Sequence, residues 1–388
     1  MAIYLDYAAS EPINPEVLAT FTEALQSAGN PSSTHSFGQA SRMMLEEARE
    51  QIALAVGCDR SEVIFTAGGT ESDNLAIKGL FWKRRGENSA RNIIVSNYME
   101  HHAVIDPIEW LEAHEGAELA WIPVSEEGVV DLAWLENFLA ERGSEVALIS
   151  VMWANNEVGV INDIKAVTAL AAKQGVPVHS DAIAAFGHVP INFKASGLSA
   201  MSISAHKVGG PVGVGALILG RSATLTPLTH GGGQERSMRS GTMNAAGAKA
   251  FAHAATLAIA NMAKHNEHTS TLVDRLRDGI ESSIAGARFS RGSQPGMTHN
   301  AHYTFEGLKS DGLLFLLDQA EIAVSAGSAC QAGVDRPSHV LLAMGRSEEE
   351  ANSCLRISVG LQTNEADIER FLQVLPTAVA AARSANPT

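Results

Sequence analysis

Cysteine is scarce. Cys58, Cys330 and Cys354 are the three in 388 residues, which lack both the numbers of a disulfide framework and the close CxxC spacing of a structural zinc site. A reducing, cytoplasmic setting is the expectation. Basic residues are also few: 28 Lys plus Arg stand against 43 Asp plus Glu, for a formal charge of -15. A field of that sign repels a phosphate backbone or an anionic bilayer, so neither nucleic acid nor a membrane is an expected partner. No uncharged apolar run reaches the roughly 18 residues that cross a bilayer, and MAIYLDYAAS has no basic stretch leading into an apolar run. The expectation is a mature, soluble chain. With 45% hydrophobic and 18% charged residues, it has ample material for a core, and its length predicts roughly two to three domains.

Short β-branched or apolar runs fall at Glu62 to Thr66, Asn92 to Ser96, Glu118 to Ile122, Val146 to Trp153, Val176 to Ser180, Met201 to Ser204 and Gly213 to Leu219. Helical patterns such as DIKAVTALAAKQG separate several of them. Alternation of this kind predicts an α/β layer fold with a mostly parallel sheet, whose crevice lies at the carboxyl ends of the strands. After the Gly-rich segment His230 to Gly241 the texture changes to an Ala-rich helix or pair of helices, expected to bridge two domains. Strands at Ala301 to Phe305, Ile322 to Val324 and Leu355 to Val359, with helices around them, predict a smaller α+β domain.

Chemistry-bearing residues cluster at strand ends. Lys207, in Ser204-Ala205-His206-Lys207-Val208-Gly209-Gly210, directly follows a strand. A partly desolvated amine there could form a Schiff base with an aldehyde cofactor, or be a solvated loop lysine beside a structural histidine. Asp181 ends another strand and could pair with a pyridine nitrogen, or cap the following helix. The Gly68-Gly69-Thr70 turn opens a helix and could cradle a phosphate, though it is neither a Walker nor a dinucleotide motif and also reads as a plain N-cap. Adjacent His101 and His102 diverge, so one is expected to face a pocket and the other the surface; no metal site is expected. Asn155 and Asn156 offer two amides for a ligand or for turn hydrogen bonds. Cys330 lies in the small-residue loop SAGSACQAG and is a candidate nucleophile, whereas structural roles are expected for Cys58 and Cys354.

Taken together, these motifs are what the chain shares with a known family. It resembles the NifS-like cysteine desulfurases, within the class-V aminotransferase group of fold-type I pyridoxal-phosphate (PLP) enzymes. The resemblance runs from YLDYAA at Tyr4 through GNPSSTHSFG at Gly29, GGTESDNLAIKG at Gly68, EHHAV at Glu100, NNEVG at Asn155, the Asp181 and Lys207 segments and GGGQERSMRSGT at Gly231. It continues through SAGSAC, ending at Cys330, and LRISVG at Leu355.

The resemblance implies a large PLP-binding domain over 15–258, with a mostly parallel mixed sheet flanked by helices. A smaller α+β domain would cover 259–388, with 1–14 packed against it. Lys207 would hold the cofactor covalently, Asp181 would pair with its ring nitrogen, and His101 would stack on the ring and take part in proton transfer. Gly69, Thr70, Ser204 and His206 would hold the phosphate, helped by Thr242 from the second subunit of a homodimer. Asn156 would contact cofactor and substrate, Asn30 the substrate, and Arg356 the substrate carboxylate. L-cysteine would become alanine, its sulfur passing to Cys330 and then to an acceptor such as an iron–sulfur scaffold. A cysteine or selenocysteine lyase, or a catalytically weak scaffold, are the alternatives. Ala184 departs from the family pattern, which has glutamine three residues after the aspartate. Trp153 stands where many relatives have a smaller residue or histidine, and Val212 where lysine is usual.

Overall fold

The computed structural model describes residues 2–327 and 337–385. Its main element is a seven-stranded sheet in the order Val63–Thr66, Gly215–Leu219, Ala200–Ser204, Val178–Asp181, Val146–Ser150, Ile93–Ser96, Glu118–Trp121. Gly215–Leu219 runs antiparallel to both neighbours, and the other pairings are parallel. Six of the seven strands are buried at every position, because helices cover both faces; this is why they read as continuous apolar runs rather than alternating ones. One core lies between the sheet and the helices Ser36–Val56 and Ile164–Ala172, the other between the sheet and the helices Gly69–Glu87 and His102–Glu115.

Residues Ala245–Ser283 form one helix of 39 residues rather than a pair, about 58 Å long at 1.5 Å per residue. Asn244 caps it by accepting from Gly247 N at 2.9 Å. Its first half packs Ala248, Phe251 and Ala255 into the large core, and its second half packs Leu272, Leu276 and Ile280 into another. That second core fills the space between the helices Ser310–Gln319 and Glu365–Ala385 and the antiparallel strands Ala287–Phe289, Asn300–Phe305 and Cys354–Ser358. The N-terminal segment joins it through Leu5, and Ile3–Tyr4 pairs in parallel with Ile322–Ala323.

Most expected strands appear within two residues of their predicted limits. The run Val146 to Trp153 is regular only to Ser150. Beyond it Val151 N and Trp153 N still donate to His179 O and Asp181 O, so the chain keeps beside its neighbour without a full ladder. Among the described residues, no helix is long and apolar enough to cross a membrane.

Candidate active site

Loops at the carboxyl ends of five strands meet at a cleft of about 190 Å³. Gly69 and Thr70 come from the turn after Val63–Thr66, and His101 from the segment after Ile93–Ser96. Met152 and Asn156 follow Val146–Ser150. Asp181 ends Val178–Asp181, and His206 and Lys207 form a tight 3-10 turn after Ala200–Ser204. This is the crevice expected for an open α/β sheet. The far wall is Arg356 from the small sheet, with Ala8 and Ala9 of the N-terminal segment.

Lys207 Nζ donates to Ala8 O at 2.6 Å and Ala9 O at 2.9 Å, which holds its amine at the cleft wall. Three buried carboxyls, Asp73, Glu100 and Asp181, lie close enough to act on one another. Burial pushes all three upward, Glu100 to about 8 and Asp181 to about 6, while Asp73 is raised well above the usual range by burial and by the neighbouring Asp181. His179 Nε2 stands 3.6 Å from Asp73 Oδ1. Asp181 alone gains from a nearby cation, Lys207, and its Oδ1 accepts from Ile183 N at 2.8 Å. At neutral pH it is therefore the carboxylate of the three.

His101 caps the helix His102–Glu115, its Nδ1 accepting from Ala103 N at 3.0 Å. A ring nitrogen that accepts carries no proton, so the neutral ring holds its hydrogen on Nε2. Burial and then Lys207 lower His101 to about 4, and the same two causes lower His206 to about 4. His102 turns outward to Asp106 at 2.8 Å. The two amides also separate: Asn155 is a turn residue, accepting from Glu157 N and Val158 N and donating to Met99 O, while Asn156 lines the cleft.

Gly68 sits at φ 151°, ψ -176°, a conformation open essentially to glycine alone. It starts the Gly69–Glu87 helix without a side-chain cap, so first-turn N–H groups have no partner within the helix. Close by in the fold, Ser204 Oγ is buried with no hydrogen-bond partner. An uncapped helix start and an unpaired buried hydroxyl suit an anion. Arg356 is 1% exposed; its Nη1 donates to Asn156 O at 2.9 Å and its Nη2 to Asp6 Oδ1 at 2.8 Å. Nε is buried and unpaired, so the guanidinium keeps donors for a second carboxylate.

The structure thus gathers Gly69, Thr70, His101, Asn156, Asp181, His206, Lys207 and Arg356 around one cleft, with Ser204 buried behind it. Asn30 and Thr242 are exposed and outside the lining, and Cys330 lies outside the described residues. Ala184 contributes only a methyl to the wall, Trp153 is buried in the large core, and Val212 is 82% exposed. Sequence reasoning missed Asp73, Met152, Ile183 and the Ala8–Ala9 carbonyls. Asp73 was findable, since Thr70 and Asp73 share a helical face three residues apart.

These buried groups set an expected pH profile for stability. Burial lowers His101 and His206 to about 4 and His179 and His302 to about 3. An unfolded histidine titrates near 6.5, so between about pH 4 and 6.5 the unfolded chain binds more protons and stability falls with falling pH. The raised Asp181 and Glu100 act oppositely, their contribution falling as pH rises from about 4 to about 8. His188, His265 and His299 are lowered as well, and Asp73 and Glu11 raised, so seven histidines outweigh four carboxyls on the acid side, and the melting temperature of the cofactor-free chain is expected to peak near about pH 7. A melting temperature that climbs steadily toward pH 5 would contradict this.

The comparisons with known proteins agree with this geometry. The family model described as Aminotransferase class-V matches residues 3–371. An IscS-like cysteine desulfurase of Mycobacterium tuberculosis (strain ATCC 25618 / H37Rv) is 49% identical over 383 residues, which cover 98% of this chain and 97% of that protein. The X-ray structure of a NifS-like protein from Rickettsia africae ESF-5 superposes with a TM-score of 0.88 at 32% identity, over 98% of this chain and 100% of that one. A structure of SspA in complex with cysteine gives a TM-score of 0.79 at 31% identity, over 92% and 99% of the two chains. A match over nearly the whole chain, on a fold-type I architecture with these strand-end residues in one cleft, leaves one conclusion: the chain belongs to the NifS-like cysteine desulfurases of the class-V aminotransferase family.

Proposed function

We propose that this chain is a PLP-dependent cysteine desulfurase that converts L-cysteine to L-alanine. The released sulfur is held as a persulfide on Cys330 and passed to an acceptor, such as an iron–sulfur scaffold. The observation that carries this reading is the convergence of Lys207, ionised Asp181, an uncapped helix start and Arg356 on one cleft. The residues fit PLP: the helix start with Gly69 and Thr70, the unpaired Ser204 hydroxyl and His206 suit its phosphate, and Asp181 suits a protonated ring nitrogen. When bound, PLP supplies an aldehyde that captures amines and a ring that withdraws electrons from the substrate Cα.

Within that site, Lys207 would hold the cofactor through its amine, and the same amine, when free, would take the substrate Cα proton on Nζ. His101 relays protons through Nε2, since Ala103 N–H occupies its other nitrogen. Arg356 orients the substrate carboxylate through donors not engaged by Asn156 and Asp6, and Asn156 bears on substrate and cofactor beside it. The Cys330 thiolate would form an S–S bond to the substrate sulfur as the Cβ–S bond breaks with its electron pair going to Cβ, and one proton delivered to Cβ and one returned to Cα would complete alanine. Burial pushes Cys58 and Cys354 to about 12, which disfavours the thiolate at both and supports Cys330 in this role. Asn30 and Thr242 are assigned to a substrate contact and, in a homodimer, to the cofactor phosphate of the other copy. The separate cores support a large domain over 15–258 and a small one over 259–388; of residues 1–14, Ile3 and Leu5 pack with the small core, while Ile13 packs against the large one.

PLP-loaded protein given L-cysteine and a reductant is expected to form alanine and sulfide in equal amounts, with both collapsing in Cys330→Ala. Unchanged activity in that variant would make the chain a lyase, and no turnover with bound PLP would favour a scaffold. The phosphate cradle has its own test. A Cβ on Gly215 would stand 2.8 Å from the Gly68 carbonyl carbon and 2.8 Å from Ile203 O, both backbone atoms. Gly215→Ala must shift the helix start and is expected to weaken PLP retention at least about tenfold. Unchanged retention, followed by PLP fluorescence on dilution, would remove that turn from the cofactor site.

A further inference from the structure

A second cavity, of about 180 Å³, lies beyond the Lys207 turn and shares no lining residue with the cleft. Glu11, His188 and His265 all face it, from the N-terminal segment, the segment after Asp181 and the middle of the long helix. One donor atom from each lies within 4.8 Å of the other two. His188 Nδ1 and His265 Nε2 are buried and have no hydrogen-bond partner. The half-buried Glu11 carboxyl makes no hydrogen bond or ion pair with any described residue.

We propose that Glu11, His188 and His265 bind one divalent first-row transition-metal ion of the zinc class. Two imidazoles and a carboxylate form the His₂Glu donor set that zinc accepts, with a remaining position for water; calcium and magnesium prefer all-oxygen shells. His188 is already set for the task. Its Nε2 lies 3.3 Å from Lys207 O, and a carbonyl only accepts, so the ring proton sits on Nε2 and the Nδ1 lone pair is free. A metal-bound histidine typically donates its other N–H to such a carbonyl. The His299 ring packs against the His188 ring at a tilt of 36°, with centroids 4.1 Å apart, which restricts how that ring can turn, and burial disfavours the imidazolium form of both ligands. Metal bonds of about 2.0–2.2 Å place tetrahedral donors about 3.3 Å apart, so closure requires side-chain turns of about 1 Å rather than backbone rearrangement.

The ion would tie together three segments that meet behind the catalytic turn. Glu11 N donates to His206 O at 3.0 Å, His188 holds Lys207 O, and His265 belongs to the helix that reaches the small core. Because these residues are 177 and 77 positions apart along the chain (188 − 11 and 265 − 188), no local spacing announces them.

The test uses tag-free, PLP-loaded protein in thiol-free buffer, titrated with Co²⁺ and followed by visible absorption, with Zn²⁺ as competitor. The expected result is one Co²⁺ per chain, displaced by Zn²⁺, without thiolate charge-transfer bands and unchanged in Cys330→Ser. Glu11→Gln and His265→Gln should each weaken binding at least about 100-fold, since each removes one of three protein ligands. Should His265→Gln fail to fold, Glu11→Gln decides. No stoichiometric binding by the parent protein, or binding that survives Glu11→Gln or vanishes in Cys330→Ser, overturns the proposal.

Discussion

Lys207→Ala is expected to fold, to keep the cleft and to lose at least about 10³-fold in alanine formation from L-cysteine. General-base catalysis alone contributes about 10²–10⁴-fold, and the variant also loses the amine that holds the cofactor. The side chain is anchored to Ala8 O and Ala9 O, contacts that a small residue forfeits without leaving a buried charge behind. Folding should therefore suffer far less than catalysis. Borohydride treatment followed by intact-mass measurement supplies a second readout: the parent chain gains the reduced cofactor, and the variant gains nothing. Retention of more than about a tenth of the parent rate would assign the Cα proton to another base.

Arg356→Ala should cost the most among the substrate-binding positions. Hydrogen bonds to charged groups are worth about 1.5–3 kcal/mol each, so losing a two-pronged grip on the substrate carboxylate lowers kcat/KM by about 10²–10⁴-fold. The loss should fall mainly on KM, because a carboxylate remote from the reacting bonds is held equally in ground and transition states. Stability falls as well. Arg356 is 1% exposed and pairs with Asp6, and removing one partner of a buried pair costs about 3–5 kcal/mol, less here because the Asp6 side chain is 18% exposed. Arg356→Lys restores charge without the planar fork and should recover only part of the affinity. Steady-state kinetics with a melting curve separate the two losses; an unchanged KM in a folded variant would remove Arg356 from substrate binding.

Much of this fold was legible because its strands are buried on both faces. Runs such as Val146-Ala147-Leu148-Ile149 are continuous apolar blocks between turn residues, and their order with intervening helices specifies a parallel sheet. The candidate site residues were legible for a related reason: a parallel sheet gathers the residues at its strand ends, so Asp181, His206 and Lys207 had one crevice to share. Ile3–Tyr4 and Ala287–Phe289 were not legible, since strands of two and three residues exist only through their partners in the small domain. Buried acids were hidden too. Asp73 reads as the polar face of a helix and Glu100 as part of a loop, and only the packed sheet reveals that both carboxyls are enclosed. The Glu11, His188 and His265 cluster is the extreme case, assembled wholly by tertiary structure.

The central claim is that sulfur leaves L-cysteine through one thiol of this chain. Its most direct test is a single addition of L-cysteine to PLP-loaded protein without reductant, quenched with a thiol-alkylating reagent and mapped by peptide mass spectrometry. The account predicts one added sulfur on Cys330, in proportion to the alanine formed, with none on Cys58 or Cys354, whose burial holds both thiols protonated. Alanine released with no persulfide on Cys330, or with the added sulfur on Cys58 or Cys354, would contradict it.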